Sequence, residues 1–163
     1  MEVKVKKLND KAVIPFKKHD SDFCYDVVAT SCKEIAPNVY RYGIGLAFQI
    51  IRGLEPFRQV REDLWEQIDF ASYAIQLSID FRPRSSVWQT GMVLANCTGT
   101  IDEDYRGEVS AIFYHIFPDM PIYKVGDRIG QIKIGATFPI TFLDVDNLDN
   151  TVRGNGGFGS TGK

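Results

Sequence analysis

Val39-Tyr40-Arg41-Tyr42-Gly43-Ile44-Gly45-Leu46-Ala47-Phe48-Gln49-Ile50-Ile51 holds two short strand candidates, 39–42 and 45–51, set apart by glycine and preceded by Pro37-Asn38. Both runs are too short for helices, and β-branched and aromatic side chains dominate them. Working outward, further strand candidates recur at 27–29, 73–81, 109–117, 128–134 and 140–144. Residues 1–8 alternate Val3 and Val5 with Glu2, Lys4 and Lys6, the period of a half-buried strand. Many short strands with frequent turn signals predict an all-β fold, an antiparallel barrel or sandwich. One stretch departs from this. After Pro56, Val60, Leu64 and Ile68 recur every four residues, so an amphipathic helix is expected over 57–69.

With 163 residues, 44% apolar and 25% charged, the chain suits one globular domain with a true core. Nineteen basic against twenty-one acidic residues leave a net charge of -2, which offers no footprint for nucleic acid or anionic membrane. No apolar run approaches the ~20 residues of a membrane span. The charged start Met1-Glu2-Val3-Lys4 has no apolar stretch behind it, so no signal peptide is expected. Cys24, Cys32 and Cys97 are odd in number and form no Cys-x-x-Cys pair, so a reducing, cytoplasmic setting is expected. These cysteines, His115, Trp65 and Trp88 are read as structural.

The last residues change character. Residues 153–163 hold five of the fourteen glycines and no periodicity, so they are expected to be a flexible lid beyond a domain of residues 1–152. Gly154-x-Gly156-x-x-Gly159 mimics a dinucleotide fingerprint without its βαβ unit. Gly157-x-x-x-x-Gly162-Lys163 mimics a Walker A loop without the Ser/Thr and helix that should follow. What survives is a glycine-rich backbone with an arginine and two hydroxyls, chemistry that suits a polyphosphate.

Two further segments carry chemistry. Pro83-Arg84-Ser85-Ser86 sets a guanidinium and two hydroxyls beside a rigid proline, an anion-gripping corner, although an isolated Arg-Ser-Ser is usually just solvated surface. Gly99-Thr100-Ile101-Asp102-Glu103-Asp104-Tyr105-Arg106-Gly107-Glu108 packs three carboxylates and a tyrosine between two glycines, with a fourth carboxylate, Glu108, directly after the second. It reads either as an acidic β-hairpin turn or as a carboxylate base with an aromatic platform.

In this order the segments resemble the trimeric dUTPase family, together with Tyr25-Asp26-Val27-Val28-Ala29 and Gly126-Asp127-Arg128-Ile129-Gly130-Gln131. The resemblance spans nearly the whole chain and is most specific at Ile101 to Gly107 and Arg153 to Gly162. It implies a dUTPase-like, jelly-roll-like β-barrel with one short inserted helix near 56–70, assembled as a homotrimer whose sites are shared between chains. It implies hydrolysis of dUTP to dUMP and pyrophosphate with Mg²⁺, keeping uracil out of DNA and supplying dUMP for dTMP synthesis.

The same resemblance implies the roles. Asp102 is the general base and Tyr105 lies under the deoxyribose, while Asn96 and the main chain near Gly99 read the uracil edge. Arg84, Ser85, Ser86 and Gln131 grip the phosphates, and Arg153, Phe158, Gly159, Ser160 and Thr161 close over the nucleotide. Asp26 touches the metal through water. Phe23-Cys24 stands where the family usually has Ala-Gly, and 52–82 is longer than usual. Two other readings compete: a dCTP deaminase-like enzyme of the same fold, and a nucleotide-responsive regulatory module using the long insertion.

Overall fold

The computed structural model describes residues 2–51 and 76–156; the expected helix at 57–69 and the tail beyond Gly156 lie outside them. Ten strands are described: β1 (Glu2–Lys7), β2 (Tyr25–Val28), β3 (Ser31–Ala36), β4 (Val39–Gly43), β5 (Leu46–Ile51), β6 (Gln76–Arg82), β7 (Met92–Leu94), β8 (Gly99–Asp102), β9 (Ser110–His115) and β10 (Arg128–Thr137). The only helical element among the described residues is a 3-10 segment, Ser85–Thr90. The fold is all-β, as the strand grammar predicts.

Every pairing among the described strands is antiparallel. The strands form a β1-β5 ribbon and two four-stranded sheets, ordered β2-β10-β6-β8 and β3-β4-β9-β7. The alternation of β1 is realised directly. Val3 and Val5, opposite Ile50 and Phe48, are half-buried, whereas Lys4 and Lys6 are exposed. The β3–β4 connection turns on Asn38 at φ 59°, a residue type that tolerates the left-handed region. Glu34 secures this turn by accepting the Asn38 N–H at 3.0 Å.

The core lies between the sheets and the ribbon. Phe113 packs edge-to-face on Tyr42, with centroids 5.8 Å apart, and on Tyr123 at 5.6 Å. The Tyr42 hydroxyl donates to the Tyr123 carbonyl at 2.9 Å, and burial pushes both phenols above their ordinary pKa, so both stay neutral. Gly130 has a packing reason: a Cβ there would run into the ring of Phe81, itself 2% exposed. The backbone of β10 therefore approaches β6 closely beside Gln131.

Three expectations need correction. Residues 140–144 form no strand; the β10–β6 ladder ends at Thr137 opposite Gln76, and Ile140 and Phe142 are 71% and 88% exposed. An alternating run becomes a strand only where a partner edge meets it. The acidic run 99–108 is not a hairpin turn either, because β8 pairs with β6 in one sheet and β9 with β4 and β7 in the other. Lastly, Trp88 is 71% exposed on the 3-10 segment instead of packing inside.

Candidate active site

Two groups of side chains stand out, and the fold holds them apart. The first is built around Asp26 on β2. Its neighbour across the ladder on β10 is Gln131, whose own neighbour on β6 is Arg82, the residue before Pro83-Arg84-Ser85. Sheet register therefore brings three sequence segments to one corner. Arg84 Nε donates to Asp26 Oδ1 at 3.1 Å, and Arg128 Nη1 donates to Asp26 Oδ2 at 2.8 Å. Arg84 Nη1 also reaches Ser86 Oγ at 3.4 Å, and Gln131 Nε2 donates to the Pro83 carbonyl at 3.3 Å. The Asp26 side chain is only 14% exposed, so each carboxylate oxygen is fixed in place by a guanidinium. Asp26, Arg84, Ser85, Arg128 and Gln131 line one cavity of about 430 Å³. Two cations around one anion leave positive charge, held in place without further reorganisation, which is what a phosphate group needs.

The second group forms where the chain crosses between the sheets. Asp102 ends β8, and its carbonyl accepts the Tyr105 N–H at 3.1 Å, closing a tight turn. The Tyr105 ring folds back so that its hydroxyl donates to the Glu108 carbonyl at 3.1 Å. Gly107 permits this, since a Cβ there would collide with the Tyr105 hydroxyl. Glu108 Oε1 accepts the Gly45 N–H at 2.8 Å and ties the crossing to the start of β5. Asp102, Tyr105, Thr100 and Glu108 line a separate cavity of about 490 Å³, which Arg41 also borders. Asp102 is exposed, whereas Glu103 is half-buried and accepts the Leu77 N–H at 3.4 Å. Neighbouring carboxylates thus have different tasks. Asn96 is exposed in the turn between β7 and β8, its Nδ2 beside Gly99.

Asp102 lies opposite Ser78 on β6, while Asp26 is level with Arg82 on the far edge of the same sheet. Three strand spacings across and four residues along amount to about 14 Å and about 13 Å, roughly 19 Å in all. A single chain does not bring the carboxylate and the anion corner together. Of the tail, Arg153 lies in a turn, its Nε donating to the Gly156 carbonyl at 2.9 Å; Phe158, Gly159, Ser160 and Thr161 lie outside the described residues. Arg128, paired with Asp26, is the residue that sequence reading misses. Its partner is 102 positions away, and no local pattern announces the bond.

Among the described residues no three His, Cys, Asp or Glu side chains converge as a metal cage, and no helix is long and apolar enough to cross a membrane. Among those residues, Cys24, Cys32 and Cys97 are free thiols, the last two exposed, and the His115 ring lies 2.9 Å from the Met120 carbonyl.

Comparison with known proteins agrees with this architecture. The deoxyuridine 5'-triphosphate nucleotidohydrolase of Nautilia profundicola is 32% identical over 165 aligned positions, covering all of both chains. Among solved structures, a variant of the Staphylococcus bacteriophage 80alpha dUTPase with dUpNHpp superposes with a TM-score of 0.72 at 20% identity, over 99% of each chain. A phage phi11 dUTPase from S. aureus, described for its coordination of a structural Mg(II) ion, gives 0.63 at 16% identity, over 92% of this chain and all of that one. At those identities the structures speak for the fold alone. The dUTPase family itself matches residues 72–162, a range that includes Arg84, Asp102, Arg128 and Gln131 but not Asp26, and the chain belongs to that family.

Proposed function

We propose that this chain carries out the reaction of its family, hydrolysis of dUTP to dUMP and pyrophosphate, at sites that three copies complete for one another. The observation that carries the shared site is that Asp102 and the Asp26 corner stand on opposite edges of one four-stranded sheet, four residues out of register, which ideal strand spacing makes roughly 19 Å. A general base must stand within hydrogen-bond reach of the water it activates. The exposed apolar run through Ile140, Phe142 and Leu143, unpaired among the described residues, supports the same assembly.

In this reading Arg84, Ser85 and Gln131 of one copy hold the triphosphate, and Ser86 steadies the Arg84 guanidinium. Asp102 of a second copy takes the proton of the water that attacks the α-phosphorus. Tyr105 underlies the deoxyribose, Asn96 and the Gly99 backbone face the uracil, and residues 153–163 are a lid beyond the domain of residues 1–152. Bound with the triphosphate, Mg²⁺ would supply neutralisation of phosphate charge while retaining part of its water shell. The residues fit such a metal. A carboxylate has about four acceptor positions, so Asp26, with two used by arginines, can still accept from a metal-bound water. The reaction belongs in the cytoplasm, where dUTP would otherwise compete for incorporation into DNA.

Complementation tests the shared site. Asp102→Asn and Arg84→Ala homotrimers are both expected to be nearly inactive. In trimers co-assembled from the two at equal amounts, each site draws independently on two copies, so roughly one quarter of sites regain both residues. Turnover of dUTP near that fraction supports sharing; no recovery in verified mixed trimers refutes it. Ammonia release from dCTP would instead favour the deaminase reading, and nucleotide binding without turnover the regulatory one.

Replacing Tyr105 with Ala is expected to relax discrimination against UTP by roughly 10–100-fold, the range for rejection by shape. The ring is 46% exposed, so little packing is lost. The ratio of kcat/KM for dUTP and UTP reads this directly, and an unchanged ratio removes Tyr105 from sugar selection.

A further inference from the structure

We propose that Lys17 and Lys18 are substrate-positioning residues, the second cationic wall of the anion pocket, holding the phosphates that leave as pyrophosphate. The inference rests on the dUTP-hydrolysis reading above. Both lysines line the cavity of about 430 Å³ together with Arg84 and Ser85. Their loop is tied to the pocket from within. Asp26 N donates to the Phe16 carbonyl at 2.7 Å and Phe16 N to the Asp26 carbonyl at 3.3 Å, so Lys17 follows directly on a bridge to β2. Further along, the Asp22 N–H donates to the His19 carbonyl at 3.0 Å, and Asp22 Oδ2 accepts the His19 N–H at 3.0 Å. Asp26 therefore fixes the loop by its backbone and both arginines by its side chain. The Lys17 ammonium sits 4.7 Å above the Tyr25 ring, which restrains its half-buried stem.

Charge points the same way. Four cations, Lys17, Lys18, Arg84 and Arg128, face two carboxylates in this pocket, in a protein whose net charge is -2. Both carboxylates are engaged, Asp26 by the arginines and Asp22 by a backbone N–H. Neither lysine has an ion-pair partner among the described residues. A concave site with uncompensated positive charge concentrates anions. If the α-phosphorus lies at Ser85, where water held by another copy's Asp102 must reach it, the phosphates beyond extend into the rest of the pocket. Its remaining wall is this loop.

The test is titration of inorganic pyrophosphate, followed calorimetrically, into the intact protein and a Lys17→Met, Lys18→Met double variant, in which Met keeps the apolar stem. Two lost charge-assisted contacts at a partly exposed site predict roughly tenfold weaker pyrophosphate binding. Affinity for dUMP should stay unchanged. The KM for dUTP should rise more than kcat falls, and the Lys17→Arg, Lys18→Arg pair should restore both. Wild-type pyrophosphate affinity in the folded double variant overturns the proposal. If that variant does not fold, Lys18→Met alone, at an exposed position, must weaken pyrophosphate binding by roughly threefold, and no change overturns the proposal equally. Should the native protein fail to hydrolyse dUTP, the functional reading falls, while the pyrophosphate titration still judges the lysines separately.

Discussion

Asp102→Asn is expected to lower dUTP turnover by roughly 10²–10⁴-fold while leaving nucleotide binding nearly intact, the range assigned to general-base catalysis. The amide keeps the size of the carboxylate and one acceptor oxygen, but it cannot accept the proton of the attacking water. Asp102 is exposed at the end of β8, so the substitution removes no core contact and should shift stability by less than about 0.5 kcal/mol. The internal control is one residue away. Glu103 accepts the Leu77 N–H, a contact that glutamine can also make, so Glu103→Gln should turn over dUTP almost normally. Steady-state hydrolysis and equilibrium binding on both variants decide the matter. Normal turnover in Asp102→Asn, or an equal loss in Glu103→Gln, removes Asp102 from the mechanism.

Truncation after Val152 is expected to leave a folded protein with turnover reduced on the order of 10²-fold or more, the cost typical of lost positioning and charge stabilisation. The stability half rests on packing. Among the described residues, the buried core and the apolar groups against it end at Ile134, and Val152 to Asn155 are exposed in a turn. The activity half rests on chemistry: the removed residues carry an arginine, two hydroxyls and a phenylalanine, able to close over a triphosphate and exclude water from it. Thermal melting together with dUTP hydrolysis reads both halves. A truncated protein that unfolds, or one that turns over normally, contradicts the lid.

Much of this protein is legible from its residues because the signals are local. Val3 and Val5 alternating with lysines, and the short runs at 39–42 and 45–51, specify strands through period and turn chemistry alone, which act over a few residues. The turn joining Asp102 to Tyr105 is legible for the same reason: the two are three positions apart, as a tight turn requires. Pairing is different, because it depends on which edge a strand meets. The 140–144 run has a strand's pattern but no partner edge among the described residues, and 99–108 looks like a hairpin although its two ends join different sheets. Only the tertiary structure sets Arg128 beside Asp26 across 102 positions, through a β2–β10 register that shifts between Arg128 and Gly130. The same sheet order keeps Asp102 and Arg84 apart in one chain, since backbone hydrogen bonding fixes strand spacing whatever chemistry the side chains could perform together.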